Sequence, residues 1–173
     1  FLNIKNCAKI IHKGGETMIR LAIVEDNEKY INILKNYIER IQNETDHIFK
    51  ISEFYDGKEI INIAHGYFDI ILMDIEMDEM DGMEAARIIR KKDPEVVIIF
   101  ITQAPQYAMN GFEVGALDYV LKPINYYAFT QRLERAIERF RKREPKSILI
   151  ETGGILRKVP LSSIQFIEVS NHD

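Results

Sequence analysis

Five side chains suited to phosphoryl or metal chemistry stand at the ends of apolar runs. Glu25 and Asp26 follow residues 19–24, and Asp74 follows 68–73. Thr102 closes the run 96–101, and Lys122 follows 117–121. The stretch Ile70-Ile71-Leu72-Met73 is apolar without alternation, as in a central parallel strand covered on both faces. A carboxylate placed directly after such a run sits at the carboxyl end of the strand, where open α/β sheets bind their ligands. Three carboxylates brought to one edge repel one another; a pair at about 4 Å costs roughly 4 kcal/mol at an effective dielectric near 20. A hard divalent cation relieves that repulsion. Mg²⁺ suits carboxylates, keeps several waters and recruits phosphate oxygens. Lys122 adds a point charge for a phosphoryl oxygen, and Thr102 adds a hydroxyl donor. The chemistry this set suits is transfer of a phosphoryl group to a carboxylate, with charge on the equatorial oxygens stabilised by metal and lysine. Taken singly, each acidic residue is more often a helix cap or a solvated loop end, Thr102 a cap and Lys122 a surface lysine. The case rests on all five falling at successive strand ends.

The elements that must position them alternate along the chain. A strand over 19–24 is followed by a helix whose apolar residues Tyr30, Ile33, Leu34, Tyr37, Ile38 and Ile41 share one face, with Asp26 or Asn27 as its N-cap. A second strand over 49–54 lies nearer the sheet edge. Asp56-Gly57 turns into a short helix reaching Ala64. The third strand runs over 68–74, and Asp81-Gly82 opens a helix to about Lys91. Pro94 marks the next connection. A fourth strand covers 96–101, a short helix 105–112 and a fifth strand 117–121. A last helix carries Phe129, Leu133, Ala136, Ile137 and Phe140 on one face. Five strands alternating with five helices predict an α/β fold with a doubly wound parallel sheet and helices on both faces.

Composition bounds the class. The 173 residues hold 46% hydrophobic and 29% charged residues, ordinary for a soluble globular protein of one domain and part of another. The net charge of −4 gives no sign of nucleic-acid binding by bulk charge. A single cysteine, Cys7, excludes an intrachain disulfide and favours a reducing compartment. The apolar runs are too short to span a bilayer, and no secretory signal is visible. The expected location is the cytoplasm, with no membrane partner.

The motifs Val24-Glu25-Asp26, Met73-Asp74-Ile75-Glu76-Met77 with Gly82, Phe100-Ile101-Thr102, and Asp118-Tyr119-Val120-Leu121-Lys122-Pro123 resemble the receiver domain of bacterial two-component response regulators. The resemblance covers Met18 to about Arg143. It implies a flavodoxin-like sheet in the order 2-1-3-4-5, an order known from chemotaxis response regulators. It also implies that Asp74 is the phosphoacceptor. Asp26 and Asp74 would bind Mg²⁺ by their side chains, Glu76 by its backbone carbonyl, and Glu25 largely through metal-bound water. Thr102 and Lys122 would bind phosphoryl oxygens, and the Lys122-Pro123 peptide would be cis. In the switch the resemblance implies, the Thr102 hydroxyl moves toward the phosphoryl group and Tyr119 turns inward. Read alone, Tyr119 is more often a static half-buried aromatic than a switch. Two departures stand out. Glu25 replaces the first of the usual two aspartates, and Asp78 stands where many members have proline.

The ends of the chain read differently. Residues 1–17 show no clear period, and Lys13-Gly14-Gly15-Glu16 before Met18 is encodable by a ribosome-binding-site tract. The expectation is a leader or appended segment over 1–17, with a real N-terminal arm as the alternative; intact mass of the natively expressed protein decides between them. The receiver-like domain covers 18–143. Lys142-Arg143-Glu144-Pro145-Lys146 looks like a linker, its core at 144–146. Residues 147–173 suggest a hairpin about Thr152-Gly153-Gly154 and a further strand over 164–169. These residues are too few to bury a core, so a β-rich domain is expected to begin here and be cut off. Ile150-Glu151-Thr152-Gly153-Gly154, with the run Val159 to Val169, resembles the start of a LytTR-type DNA-binding domain, and the stretch Gly111 to Tyr119 resembles receivers joined to such outputs. In that family the positions of Asn171 and His172 fall in a DNA-contacting loop; here His172 is read as an exposed terminal residue. Residues 134–146 hold six basic and three acidic residues, read as the solvated face of the last helix. Basic charge there also complements the helix C-terminus.

The resemblance therefore implies a signalling switch rather than an enzyme with a free product. It would take its phosphoryl group from a sensor histidine kinase and control DNA through the full-length output domain; the chain as given is not expected to bind DNA specifically. The last helix is a candidate face for a homodimer. Two rivals stand beside it. A Mg²⁺-dependent phosphohydrolase with Asp74 as nucleophile wants a second acid/base and a covering insertion, which the sequence offers weakly or not at all. A binding module that is never phosphorylated leaves the acidic set unexplained.

Overall fold

The computed structural model describes residues 9–11, 18–63, 66–103, 105–107, 114–142, 147–152 and 155–160. The chain divides into two compact units, residues 16–141 and residues 1–15 with 142–173.

The larger unit is a five-stranded parallel sheet. Its strands are β1 (Met18–Val24), β2 (Ile48–Phe54), β3 (Ile70–Met73), β4 (Val97–Thr102) and β5 (Asp118–Leu121). They lie in the order 2-1-3-4-5. The helices are α1 (Glu28–Glu44), α2 (Gly57–Ile60), α3 (Gly82–Lys92) and α4 (Tyr126–Arg141), with a 3₁₀ turn at Pro105–Tyr107. The register aligns Val24 with Phe54 and Met73, Met73 with Phe100, and Thr102 with Leu121. All five carboxyl ends therefore reach one edge.

Strand residues alternate between two cores, because successive side chains of a strand point to opposite faces. Ile19, Leu21, Ile23, Ile70, Leu72, Val97, Ile99 and Ile101 pack with α1 and α4, through Ile31, Leu34, Ile38 and Ile41 and through Phe129, Leu133, Ala136 and Ile137. Ala22, Val24, Ile71, Met73, Ile98 and Phe100 pack with α2 and α3, through Ile60, Met83, Ala85, Ala86 and Ile89. Each fully buried Ile or Leu contributes roughly 1.5–3 kcal/mol. This two-sided burial is why β3 and β4 carry no polar residue before their ends.

Several boundaries differ from expectation. The helix expected to reach Ala64 is one turn, Gly57–Ile60. Asn62 Nδ2 turns back to donate to the Lys58 carbonyl at 3.1 Å, and Gly66 follows with φ of +72°. β3 begins at Ile70, two residues later than expected; Asp69 before it still bonds by backbone to Arg20 and Val97, and Arg20 holds its carboxylate through its Nε at 3.1 Å, its guanidinium Nη2 at 2.5 Å and its backbone N–H at 2.8 Å. The expected helix over 105–112 is described only as the 105–107 turn; its remainder lies outside the described residues.

In the smaller unit, Ser147–Thr152 pairs antiparallel with Ile155–Pro160, which is the expected hairpin. Lys9–Ile11, within the stretch set apart as a leader, pairs antiparallel with Ser147–Thr152 on its other edge. Residues 143–146, the expected strand over 164–169, Asn171 and His172 lie outside the described residues.

One packing contact ties the fold directly to the strand-end edge. An added Cβ at Gly82 would lie 2.0 Å from the Asp74 carbonyl oxygen and 3.0 Å from Ile75 Cα. Gly82 N–H meanwhile donates to the Ile75 carbonyl at 2.9 Å. Neither neighbour is a flexible side chain. Gly82→Ala is therefore expected to lower unfolding stability by about 1–3 kcal/mol, read from urea denaturation, as backbone is forced apart in a close-packed interior.

Candidate functional site

The strand ends bring Glu25, Asp26, Asp74, Thr102 and Lys122 to the carboxyl edge of the sheet. Backbone hydrogen bonds continue the ladder into the site: Glu25 N–H donates to Phe54 O at 2.9 Å, Asp74 N–H to Val24 O at 2.8 Å and Lys122 N–H to Thr102 O at 2.9 Å. Glu25, Asp74 and Thr102 are buried, and Asp26 is exposed. Carboxylate oxygens of Glu25, Asp26 and Asp74 lie within 4.8 Å of one another.

Lys122 is the hub. Its side chain is only 2% exposed, and its ammonium donates to Asp74 Oδ2 at 2.6 Å. The same nitrogen lies 2.7 Å from Glu25 Oε2. That oxygen is buried, and the ammonium is its ion-pair partner although the contact falls outside hydrogen-bond geometry. Glu25 Oε1 accepts only a long one, 3.3 Å, from Asn27 N–H. The third neighbour of the ammonium is the Tyr30 ring, with the nitrogen 4.0 Å from its centroid. The Lys122-Pro123 peptide is cis.

Asp74 is gripped from two sides. Its Oδ1 accepts from Ile75 N–H at 2.6 Å and Glu76 N–H at 3.3 Å, while Lys122 holds Oδ2. The loop after Asp74 is pinned by Asp56, whose Oδ2 accepts from Glu79 N–H at 3.0 Å and Met80 N–H at 3.3 Å. Oδ1 of Asp56 caps α2 by accepting from Lys58 N–H at 2.8 Å. Although its partial burial works against the charge, these three donors hold the Asp56 carboxyl below its usual range. Glu76 is exposed on that loop. Tyr119 is half-buried against the α2–α3 core, where burial, followed by the nearby charges of Asp74 and Glu76, raises its hydroxyl above the usual tyrosine range.

The electrostatics follow from burial. Desolvation pushes the Glu25 carboxyl up to about 7 against the pull of Lys122, and Asp74 adds to the rise. Partial burial of the Asp26 carboxyl, then the charges of Asp74 and Asp78, raise it as well. Burial alone would lower the Lys122 ammonium; its contacts with Asp74 and Glu25 outweigh that and raise it.

The motif reading brought Glu25, Asp26, Asp74, Thr102 and Lys122 together, with Glu76 and Tyr119 at the rim. It missed two side chains. Asp56 was read only as a turn residue, although an Asp at the end of a strand on the same edge was a signal. Tyr30 was read as part of the apolar face of α1; nothing local separates it from Ile33 or Tyr37, because its distinction is a contact across 92 residues with Lys122.

The description "response regulator receiver domain" matches residues 21–134. Among curated proteins, the chain is 30% identical over 141 residues to the transcriptional regulatory protein NatR of Bacillus subtilis, covering 82% of this chain and 57% of that one. It is 30% identical over 131 residues to the sensory transduction protein LytT of Bacillus cereus, covering 76% and 50%. The chain thus spans about half the length of these relatives. Among solved structures, the response regulator TrrA of Thermotoga maritima, in complex with Mg²⁺-BeF, is 28% identical; the match covers 69% of this chain and 99% of that one, with a TM-score of 0.58. Among the described residues no helix is long and apolar enough to cross a membrane.

The Lys122 contacts give a test in the metal-free protein. A carboxyl whose folded value lies above its unfolded one favours the fold while protonated, so its contribution is lost as pH rises through about 7. Lys122→Met removes the cation that offsets this. In EDTA, the variant is expected to lose roughly 3 kcal/mol relative to wild type at about pH 8, and clearly less at about pH 5.5 where Glu25 is protonated. Urea melts at the two pH values check it; equal losses at both would show that the lysine is not what balances the buried pair.

Proposed function

Because the chain belongs to the response regulator receiver domain family, we propose that Asp74 accepts a phosphoryl group from a sensor histidine kinase and that the chain works as a phosphorylation-dependent switch. The observation that carries this is the buried Asp74 carboxylate held by the Lys122 ammonium at 2.6 Å, beside two further carboxylates. In the step itself, an Asp74 carboxylate oxygen attacks phosphorus in line. The phosphorus–nitrogen bond to the donor imidazole breaks, its electron pair stays on the nitrogen, and an aspartyl phosphate forms. Lys122 is already at the acceptor, so its ammonium needs only to change partner from Asp74 Oδ2 to a phosphoryl oxygen. The Thr102 hydroxyl, at the end of the neighbouring strand, donates to another oxygen.

Mg²⁺ fits the residues present. Glu25 Oε2 is a buried acceptor without a hydrogen bond, and three carboxylates with oxygens within 4.8 Å match a hard cation that takes oxygen ligands. The side chains of Asp26 and Asp74 and the backbone carbonyl of Glu76 would hold it, with Glu25 acting largely through metal-bound water. When bound, the ion would supply positive charge against the phosphoryl oxygens. The Mg²⁺-BeF complex of the similar receiver supports this assignment.

Phosphorylation adds roughly −1.5 to −2 charges. Thr102 and Tyr119 are the residues that answer to it, Thr102 by moving toward the phosphoryl group and Tyr119 by turning inward along β5. Glu76, two residues after Asp74, faces solvent where it can influence hydrolysis of the acyl phosphate. The protein is a signalling component that catalyses only its own phosphoryl transfer and its own dephosphorylation. The receiver takes residues 18–143 and the linker 144–146, a reading supported by a division of the chain near residue 141. The hairpin 147–160 fits the start of a LytTR-type DNA-binding output, and the similarity to LytT supports a transcriptional role for the whole protein. A cytoplasmic location follows from kinase and DNA as partners.

Incubation with Mg²⁺ and acetyl phosphate is expected to add one phosphoryl mass to the wild-type protein, and none to Asp74→Asn or in EDTA. Intact-mass spectrometry reads this. An adduct that persists in Asp74→Asn places the acceptor elsewhere, and donor turnover without any adduct favours a phosphohydrolase.

A further inference from the structure

Among the described residues the Lys122 ammonium meets Asp74 Oδ2 at 2.6 Å, Glu25 Oε2 at 2.7 Å and the Tyr30 ring, whose centroid lies 4.0 Å away. The side chain is 2% exposed, so an aromatic face stands where solvent would otherwise complete the shell. An ammonium over a ring is attracted by the ring quadrupole, and more strongly when desolvated.

The first turn of α1 holds this ring in place. Asn27 caps α1 by accepting from Lys29 N–H at 3.0 Å, and Tyr30 N–H donates to the Asn27 carbonyl at 2.9 Å. Asn27 N–H in turn reaches Glu25 Oε1 at 3.3 Å. Glu25, the helix cap and Tyr30 are thus one rigid turn. The ring is half-buried and packs against the α1–α4 core beneath it.

This matters because the two carboxylate neighbours change during the proposed reaction and the ring does not. Asp74 becomes an acyl phosphate, and Glu25 is drawn toward the cation site. A lysine on a flexible four-carbon stem has no fixed fork to keep its charge in place while partners exchange. The geometry points to Tyr30 as a positioning residue: its ring face, not its hydroxyl, holds the Lys122 ammonium at the acceptor while the ammonium moves from Asp74 Oδ2 to a phosphoryl oxygen. Tyr30 touches no reacting atom and acts through Lys122. This inference rests on the reading of Asp74 as phosphoacceptor.

The test uses the full chain, Mg²⁺ and acetyl phosphate, with Tyr30→Phe, Tyr30→Leu, Lys122→Met and the Tyr30→Leu/Lys122→Met double variant. Leu keeps the helix and the apolar contact but removes the ring. The initial rate of phosphoryl incorporation at saturating Mg²⁺ is expected to fall roughly tenfold in Tyr30→Leu and to stay within about twofold of wild type in Tyr30→Phe. In the Lys122→Met background, Tyr30→Leu is expected to cause no further loss, because the residue it acts through is gone. The same cycle read in melting temperatures without Mg²⁺ is expected to show a larger drop for Tyr30→Leu in wild type than in Lys122→Met. A wild-type rate in Tyr30→Leu overturns the inference, as does an equal loss in both backgrounds, which marks a packing role. A loss in Tyr30→Phe as large as that in Tyr30→Leu assigns the role to the hydroxyl and overturns it too. Failure of the wild type to take any phosphoryl group overturns the acceptor reading instead; the melting cycle then still reads whether ring and ammonium are coupled.

Discussion

Two carboxylates buried at neighbouring strand ends require a cation, and the structure around the site depends on that constraint. Glu25 and Asp74 are held in place by backbone: each sits one residue past a strand whose last hydrogen bonds extend to its own N–H. They cannot swing apart into water without dismantling the sheet edge. The Lys122 ammonium meets both at about the shortest distances such contacts allow. Yet the match is incomplete, because one oxygen of Glu25 keeps no hydrogen bond. Burial, with the nearby charge of Asp74, leaves Glu25 reluctant to ionise despite the Lys122 contact. A site in this condition is ready for a second source of positive charge.

Support for the site comes from packing as much as from charge. The loop after β3 is pressed between the N-terminus of α3, where Gly82 admits the Asp74 carbonyl, and Asp56 at the cap of α2. An added Cβ at Gly57 would meet the Met80 carbonyl oxygen at 2.8 Å, so the same loop also limits the first residue of α2. Asp78, standing where many members have proline, leaves the loop without a built-in dihedral restraint. The Asp56 carboxylate supplies restraint from outside, through the two amides that follow. On the far side of α3, Arg90 donates to Val114 O at 2.9 Å, Pro94 O at 2.7 Å and Val96 O at 2.8 Å. That side chain joins α3 to the segments that enter β4 and β5.

A change of charge at Asp74 has a short route outward. Thr102 is paired with Leu121, and Lys122 N–H donates to the Thr102 carbonyl. Tyr119 lies on the same short strand, three residues before Lys122, and is half-buried rather than locked in the core. β5 is an edge strand bonded on one side only, and its Leu121 is half exposed. Tyr119 and the outward-facing Leu121 are thus two residues apart on one four-residue strand that leads directly into Lys122.

Much of this was legible in the sequence. Apolar runs ended by polar residues located four strands of the sheet, alternation over 49–54 located the second, and period-3.6 apolar faces located α1 and α4, while Asp81-Gly82 marked the start of α3. Placing Glu25, Asp26, Asp74, Thr102 and Lys122 on one edge then required only that the strands be parallel. Ends of elements were less legible. β3 starts two residues later than the apolar run suggested, and α2 stops after one turn. The register between strands, the direction each carboxylate points and the choice of partner for Lys122 came only from the tertiary structure. Residue type and spacing specify which groups arrive at an edge, because strand direction is set locally. Which oxygen meets the ammonium, and which ring covers it, depend on helices packing across the sheet, so Tyr30 carried no local mark of its place in the site, and Asp56 was marked only by its position past a strand on the same edge.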